Sequence, residues 1–537
     1  MLKRPGSLTV WLLVIVVASI APRLAFWAAA QHPGLWDPLE YYNLGVNINK
    51  GKGFSLDYIW SFANRPEEVT HPLDHWLPLS GVLVATSFAI LGVSVQAALL
   101  PFICLGIVQV LLAYFFARKI GVSPAASRFA ALATSYIPWL FLSSLRTDTT
   151  IPFGVFSFVC LMAVYLAVKE DGRWLWAAGA SAGLGILTRN DGFMLVMAAG
   201  LGSACLLLID KQRRLTWLNI LGFAVSLLLV VMPWLIRNKM VLDTFWPGST
   251  MNAMFVTEHE DFYAYSKDIS LKSYMAQGLP HIVGKILFEM AAGVKIMLTM
   301  PELFFAIVVL SVLLKIIGIA RSERNLKARL LALGSQLGPF IPALLFILLT
   351  YLTYTILFPY LSQGGSFKKA YLAAVPFLII LGAKTVEAHV QPPRTFYLVS
   401  SVTCLLMLMN AVELTRADFI LNRSQLMMYQ AVGEALDTLQ EQEDREIIVM
   451  TRDPWSVNFV TGYRAVMVPN EPLDVILEAA DQYGVTHILA PVPRPAISNL
   501  DYGQDEHPRI QRVMELPEYG LWIYRIAPVE EVSRRGN

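Results

Sequence analysis

The sequence predicts a polytopic α-helical membrane protein, with about 11–13 transmembrane helices and a small α/β domain at its C-terminus. Three observations predict it. Of its 537 residues 55% are hydrophobic and only 15% charged, more apolar than a soluble core can absorb. Apolar runs of bilayer-spanning length recur along the first 420 residues. Beyond them the pattern changes to short apolar strands alternating with amphipathic helices.

The N-terminal run comes first. Lys3 and Arg4 precede an apolar stretch from Leu8 to Ala30. That is too long for a signal-peptide core and carries no small-residue cleavage site, so it is read as a first transmembrane helix with a cytoplasmic N-terminus. Further spanning runs lie at 95–117, 127–145, 150–168, 174–188, 193–209, 216–236, 300–320, 338–360, 370–386 and 395–415. The basic links Arg118/Lys119, Lys169/Arg173, Lys211/Arg213/Arg214, Arg321/Arg324/Lys327/Arg329 and Lys384/Arg394 fall on the cytoplasmic side by the positive-inside rule. Leu77–Val95 disturbs this parity and is read as a helix at the membrane interface; Ile282–Leu298, which carries Lys285, Glu289 and Lys295, is read as a second. A rival solution starts the chain outside and lets 77–95 span.

With that parity the exoplasmic face receives the first loop, residues 31–94 with its interfacial helix, the loop 237–281, several short turns and the C-terminal domain. Asp37, Glu40, Asp74, His75, Arg146, Asp148, Arg189, Asp191, Arg237 and Lys368/Lys369 all stand at helix ends on this side. A single such charge is explained by snorkelling to the interface. Many of both signs on one face point to a substrate path. The net charge of +2, without a dense basic patch, gives no reason to expect nucleic acid. Cys104, Cys160, Cys205 and Cys404 lie in apolar stretches without CxxC spacing, as small packing residues do.

The boundary at 420 separates a membrane domain, 1–420, from a soluble exoplasmic α/β domain, 421–537. In the latter, helical pattern at Gln425–Glu443 leads into a strand at Glu446–Met450. Asp453–Gly462 reads as a short helix closed by glycine, Ala465–Val468 as a strand and Leu473–Tyr483 as an amphipathic helix ending at Gly484. His487–Ala490 and Leu521–Ile526 complete the strands. No GxGxxG or Walker motif accompanies them, so nucleotide binding has no support.

The motifs follow a characteristic order: Trp36-Asp37-Pro38-Leu39-Glu40-Tyr41-Tyr42, then Gly51-Lys52-Gly53-Phe54 and Trp76-Leu77-Pro78-Leu79. Thr147-Asp148, Leu187-Thr188-Arg189-Asn190-Asp191-Gly192, Pro233-Trp234-Leu235-Ile236-Arg237-Asn238 and Gly364-Gly365-Ser366-Phe367-Lys368-Lys369-Ala370-Tyr371 come after. Across roughly residues 8–420 the chain resembles the GT-C glycosyltransferases, in particular the branch of protein O-mannosyltransferases and lipid A aminoarabinose transferases. The resemblance implies transfer from a polyprenyl-phosphate-linked sugar, with an acid of the first exoplasmic loop at the active site, the position that Asp37 matches. Some members place a lysine just before the Pro-Leu of the interfacial helix, against the donor phosphate. Here Asp74-His75-Trp76-Leu77 stands instead, and the phosphate contact must come from elsewhere.

Glycosyl transfer needs a carboxylate to take a proton from the acceptor nucleophile, and cations to stabilise the departing lipid phosphate. Asp37 is the candidate for the first role, with Glu40 and Asp148 as alternates. Arg237, Lys369 and Arg189 are candidates for the second, and Asp74, His75 and Asp191 are further site candidates. Blander readings stand beside these. Asp37 is a plausible helix cap, Asp191 a turn residue before Gly192, and Arg237 an interface anchor. His75 lacks a second metal ligand at helical spacing, and no cofactor is required by the sequence. The expected partners are a polyprenyl-phosphate sugar, membrane lipids and a protein, lipid or glycan acceptor. The alternative is a transporter or flippase of an anionic lipid or polar solute, which calls for inverted repeats that the sequence does not display. Asn422-Arg423-Ser424 is a glycosylation sequon.

Overall fold

The computed structural model describes residues 7–209, 215–247, 252–301, 336–359, 366–390, 392–491 and 507–528, with scattered residues between 302 and 335. Among the described residues seven helices are long and apolar enough to cross a membrane, or eight if the pair Ser366–Leu372 and Val375–His389, bent by 49°, is one span. Leu13, Leu208, Leu229 and Leu398 are 64%, 80%, 70% and 64% exposed, an outward apolar surface that hydrocarbon satisfies and water does not.

The first helix, α1 (Ser7–Ala29), leads through a short buried turn into α2 (Asp37–Asn49), where Pro38 stands at the start of the helix. The first loop then contributes β1 (Ser55–Leu56), β2 (Tyr58–Ile59) and β3 (His71–Pro72). α3 (Leu79–Leu91) follows, thirteen residues closed by Gly92 at φ 80°. At ~1.5 Å per residue it is too short to span, in line with an interfacial helix. α2 and α3 cross closely because glycine faces each partner. A Cβ on Gly45 would sit 2.5 Å from Val84 Cγ1, and one on Gly81 would sit 2.4 Å from Leu44 Cδ2.

α4 (Val95–Lys119) is capped by the Ser94 hydroxyl accepting from Ala97 N, and α5 (Pro124–Tyr136) by Ser123 accepting from Ala126 N. The expected span 127–145 is broken. Pro138 forces Ile137 out of the helical region, to ψ 119°, and α6 (Pro138–Ser143) restarts beyond it. α7 (Thr150–Lys169), α8 (Trp174–Thr188), α9 (Gly192–Ile209) and α10 (Trp217–Leu242) follow. Over the run 282–298 a helix forms at Leu279–Thr299, with its buried Glu289 held 2.9 Å from Lys285. Most of the expected run 300–320 lies outside the described residues.

The run 395–415 and the helical pattern at 425–443 are one continuous helix, Pro393–Gln440. A six-stranded sheet follows, in the order β2-β5-β4-β6-β8-β7. It is built from β4 (Ile448–Thr451), β5 (Arg464–Met467), β6 (His487–Ala490), β7 (Ile510–Leu516) and β8 (Leu521–Ile526). Helix Pro454–Thr461 is capped by the Asp453 side chain and closed at Gly462, and Leu473–Tyr483 ends at Gly484, both glycines left-handed. β7 is absent from the sequence reading. So is the edge strand, which comes from the first loop: Tyr58 and Ile59 of β2 pair parallel with Ala465 and Val466 of β5.

Candidate active site

The site assembles where four helix ends meet. At the start of α2 the backbone of Trp36 takes φ 61°, a left-handed conformation that a bulky residue adopts only at a cost of ~1–3 kcal/mol. The Asp37 side chain that follows is 36% exposed. Its Oδ2 accepts a hydrogen bond from Lys369 Nζ at 2.7 Å. Lys369 stands on the short helix Ser366–Leu372 and lies 3.5 Å from Asp148 Oδ2.

Asp148 is placed by local chemistry. Its Oδ1 accepts from Thr150 N at 2.8 Å, and its Oδ2 from the Thr150 hydroxyl at 3.2 Å, so the same carboxylate closes the turn ahead of α7 and faces the lysine. The preceding residue ties this turn to the first loop: Thr147 donates its N–H to Pro33 O and its hydroxyl to Pro38 O. One cation is thus shared by two carboxylates from different parts of the chain.

Arg189, just past α8, forms a second unit. Its Nε donates to Asp191 Oδ2 at 2.5 Å, Nη1 to the Thr149 hydroxyl at 3.1 Å and Nη2 to Ser366 O at 3.2 Å. The Tyr354 hydroxyl donates to the other Asp191 oxygen. Burial disfavours the Arg189 charge, and the Asp191 carboxylate outweighs that, holding its pKa above the usual value. At Asp37 burial likewise opposes ionisation; Lys369, with Arg189 and His75 behind it, prevails and keeps the carboxyl below its ordinary range.

Arg237 stands apart from this cluster. Its guanidinium donates to Leu73 O at 2.7 Å, Phe54 O at 2.9 Å and Asn238 Oδ1 at 3.0 Å, and lies over Trp234 at 4.8 Å. These partners are all uncharged. Arg237 therefore fixes the first loop beside Asp74 and keeps its net positive charge, whereas Arg189 and Lys369 are matched by carboxylates. His75 packs on Trp60 and Trp76, at 4.9 and 5.4 Å between centroids, and Asp74 reaches His71 at 4.0 Å. Burial, against the pull of Asp74 and Asp37, lowers the His75 pKa. Among the described residues no three His, Cys, Asp or Glu side chains are grouped to hold a metal ion.

Two readings of the sequence change. Glu40, expected beside Asp37, is fully buried one turn further along α2, where its Oε2 accepts from Tyr58 OH and Trp455 Nε1. Asn422 of the sequon is 3% exposed in the middle of a continuous helix and donates to Asp418, so no glycan is accommodated there. The sequence reading also lacked one residue, Asp418, and gave Lys368 no role beyond its charge. Asp418 on the long helix takes both Arg146 Nε and Nη2. Lys368, beside Lys369, lies over the Trp139 ring.

Comparison with known proteins bears on the fold. Residues 70–236 match the family Dolichyl-phosphate-mannose-protein mannosyltransferase. No curated protein sequence matches the chain. Among solved structures, ArnT from Cupriavidus metallidurans bound to undecaprenyl phosphate superposes with TM-score 0.60 at 12% identity, over 97% of this chain and 98% of that one. The oligosaccharyltransferase AglB from Archaeoglobus fulgidus, in complex with an inhibitory peptide and a dolichol-phosphate, gives 0.57 at 12%, over 90% and 69%. The chain is an integral membrane protein with the GT-C fold.

Proposed function

We propose that the protein transfers a sugar from a polyprenyl-phosphate-linked donor to a protein, lipid or glycan acceptor. The observation that carries this reading is the Asp37–Lys369–Asp148 arrangement, an ionised, accessible carboxylate at a cation-lined site. In this reading Asp37 takes the proton of the acceptor nucleophile as its bond to the anomeric carbon forms. The bond from that carbon to the phosphate oxygen breaks, and the polyprenyl phosphate leaves with the electron pair. Arg237, with no carboxylate on it among the described residues, is the residue proposed to meet the phosphate; Lys369 and Arg189 hold Asp37 and Asp191 in place. The match over residues 70–236 and the undecaprenyl phosphate and dolichol-phosphate bound by the two structural neighbours support a lipid-phosphate donor. The transporter reading gains no support from them.

The site and the region after 420 are proposed to face the exoplasmic side of the plasma membrane, on the positive-inside argument. In the same proposal the chain divides into 1–420 and 421–537. The experiment is a transfer assay with purified protein, a polyprenyl-phosphate sugar and candidate acceptors. Lipid phosphate released in step with product supports the reading, and no release with any sugar class refutes it.

A further inference from the structure

Behind Asp37 lies a buried carboxyl group that the transfer chemistry does not use. Glu40 is 0% exposed. Its Oε2 accepts from Tyr58 OH at 2.7 Å and from Trp455 Nε1 at 2.9 Å, while Oε1 is buried with no hydrogen-bond partner. Tyr58 belongs to the edge strand that the first loop lends to the C-terminal sheet, and Trp455 to the helix Pro454–Thr461 of the C-terminal region. Asn43, one turn on from Glu40, donates to Trp455 O at 3.3 Å, and Trp455 stacks on Trp60 at 5.8 Å. The titratable groups around the carboxyl are Tyr58 and Tyr41, Asp37 on its own helix, Asp74 of the first loop, and Asp453 beside Tyr58.

We propose that Glu40 is a neutral carboxylic acid that ties the C-terminal region to the helix carrying Asp37, and is thereby a positioning residue for transfer. An ionised carboxylate with one oxygen buried and unpaired is strongly disfavoured, whereas the protonated acid leaves only a weak polar group unmet. Burial pushes its carboxyl up; the Tyr58 and Trp455 hydrogen bonds act against this, Asp37 and Asp74 with it, and the result is about 8. Glu40 and Asp37 are three residues apart on one helix face. Ionisation of Glu40 draws it toward water, turns the first turn of α2 and moves Asp37 off Lys369.

The inference rests on the glycosyl-transfer reading, and the test separates the two. If wild-type protein gives no transfer at any pH, that reading fails. If it does, kcat/KM is followed from about pH 6 to about pH 9.5 in wild type, Glu40→Gln, Trp455→Phe and Glu40→Ala. Wild type is expected to lose activity on an alkaline limb centred near 8. Glu40→Gln, which mimics the neutral acid, should keep activity within about threefold at neutral pH and lack that limb. Trp455→Phe removes one donor to the carboxyl and should move the limb to higher pH. Glu40→Ala should lose about tenfold or more at every pH, since two buried donors lose their acceptor. The proposal is overturned if Glu40→Gln is as inactive as Asp37→Asn, or if the limb is unchanged in Glu40→Gln or in Trp455→Phe. Should Glu40→Gln not fold, Trp455→Phe alone decides.

Discussion

Lys369 Nζ and Asp37 Oδ2 lie 2.7 Å apart across 332 residues of sequence. The pair joins the first loop to a late helix, and Asp148 lies close enough to share the lysine. The Asp148 side chain is only 4% exposed, so removing the cation leaves a buried carboxylate without its counter-ion. Lys369→Met should lower stability by about 1–3 kcal/mol, between the values for exposed and fully buried pairs. It should also reduce transfer, because Asp37 loses its partner. Thermal unfolding in detergent, compared with the assay, checks both; an unchanged melting temperature would place Lys369 outside this network.

Arg237 stands apart from the Asp37–Lys369 cluster, on Leu73 O, Phe54 O and Asn238 Oδ1, and among the described residues no carboxylate pairs with it. Replacing it by Gln should weaken donor binding by about tenfold to hundredfold, as loss of a charged hydrogen bond costs ~1.5–3 kcal/mol. If the contact is equal in ground and transition states, KM for the donor rises and kcat stays. An unaltered donor KM would remove Arg237 from the phosphate site.

Arg146 and Asp418 hold the turn that bears Asp148 against the long helix. Asp418 is 9% exposed and also accepts from Asn422. Arg146→Met should destabilise by about 2–3 kcal/mol. Asp418→Asn should cost less, since an amide oxygen still accepts from the arginine. A double variant no worse than Arg146→Met alone is the signature of a direct pair.

Sidedness is tested with Lys119→Cys, at the cytoplasmic end of α4 in this account, and Gln442→Cys, past the long helix. Both positions are exposed. An impermeant maleimide applied to intact cells should label the second and spare the first. Labelling of both from one side contradicts the proposed topology.

The fold was legible where one physical signal dominated. Long apolar runs such as 95–117 gave spans, and cap chemistry marked the helices that end at Gly462 and Gly484. Asp37, Asp148, Arg189 and Asp191 were legible as charges at helix ends on one predicted side, where burial without a partner is costly. The pairing was not legible. Nothing local in Tyr58–Ile59, a strand of two residues, announces the sheet that it joins. The burial of Glu40 was not legible because its donors include Trp455, 415 residues away. Asn422 matched a three-residue pattern, and only the continuous helix around it revealed its burial.

The central claim is that Asp37 is the carboxylate that takes the acceptor's proton. Its most direct test is the transfer rate of purified Asp37→Asn beside wild type, at saturating donor and acceptor. Asparagine keeps the size and can still accept from Lys369, so the variant should fold, while loss of a general base slows transfer by roughly 10²–10⁴-fold. A rate above about a tenth of wild type, with Asp148→Asn inactive, would contradict the assignment and give the role to Asp148.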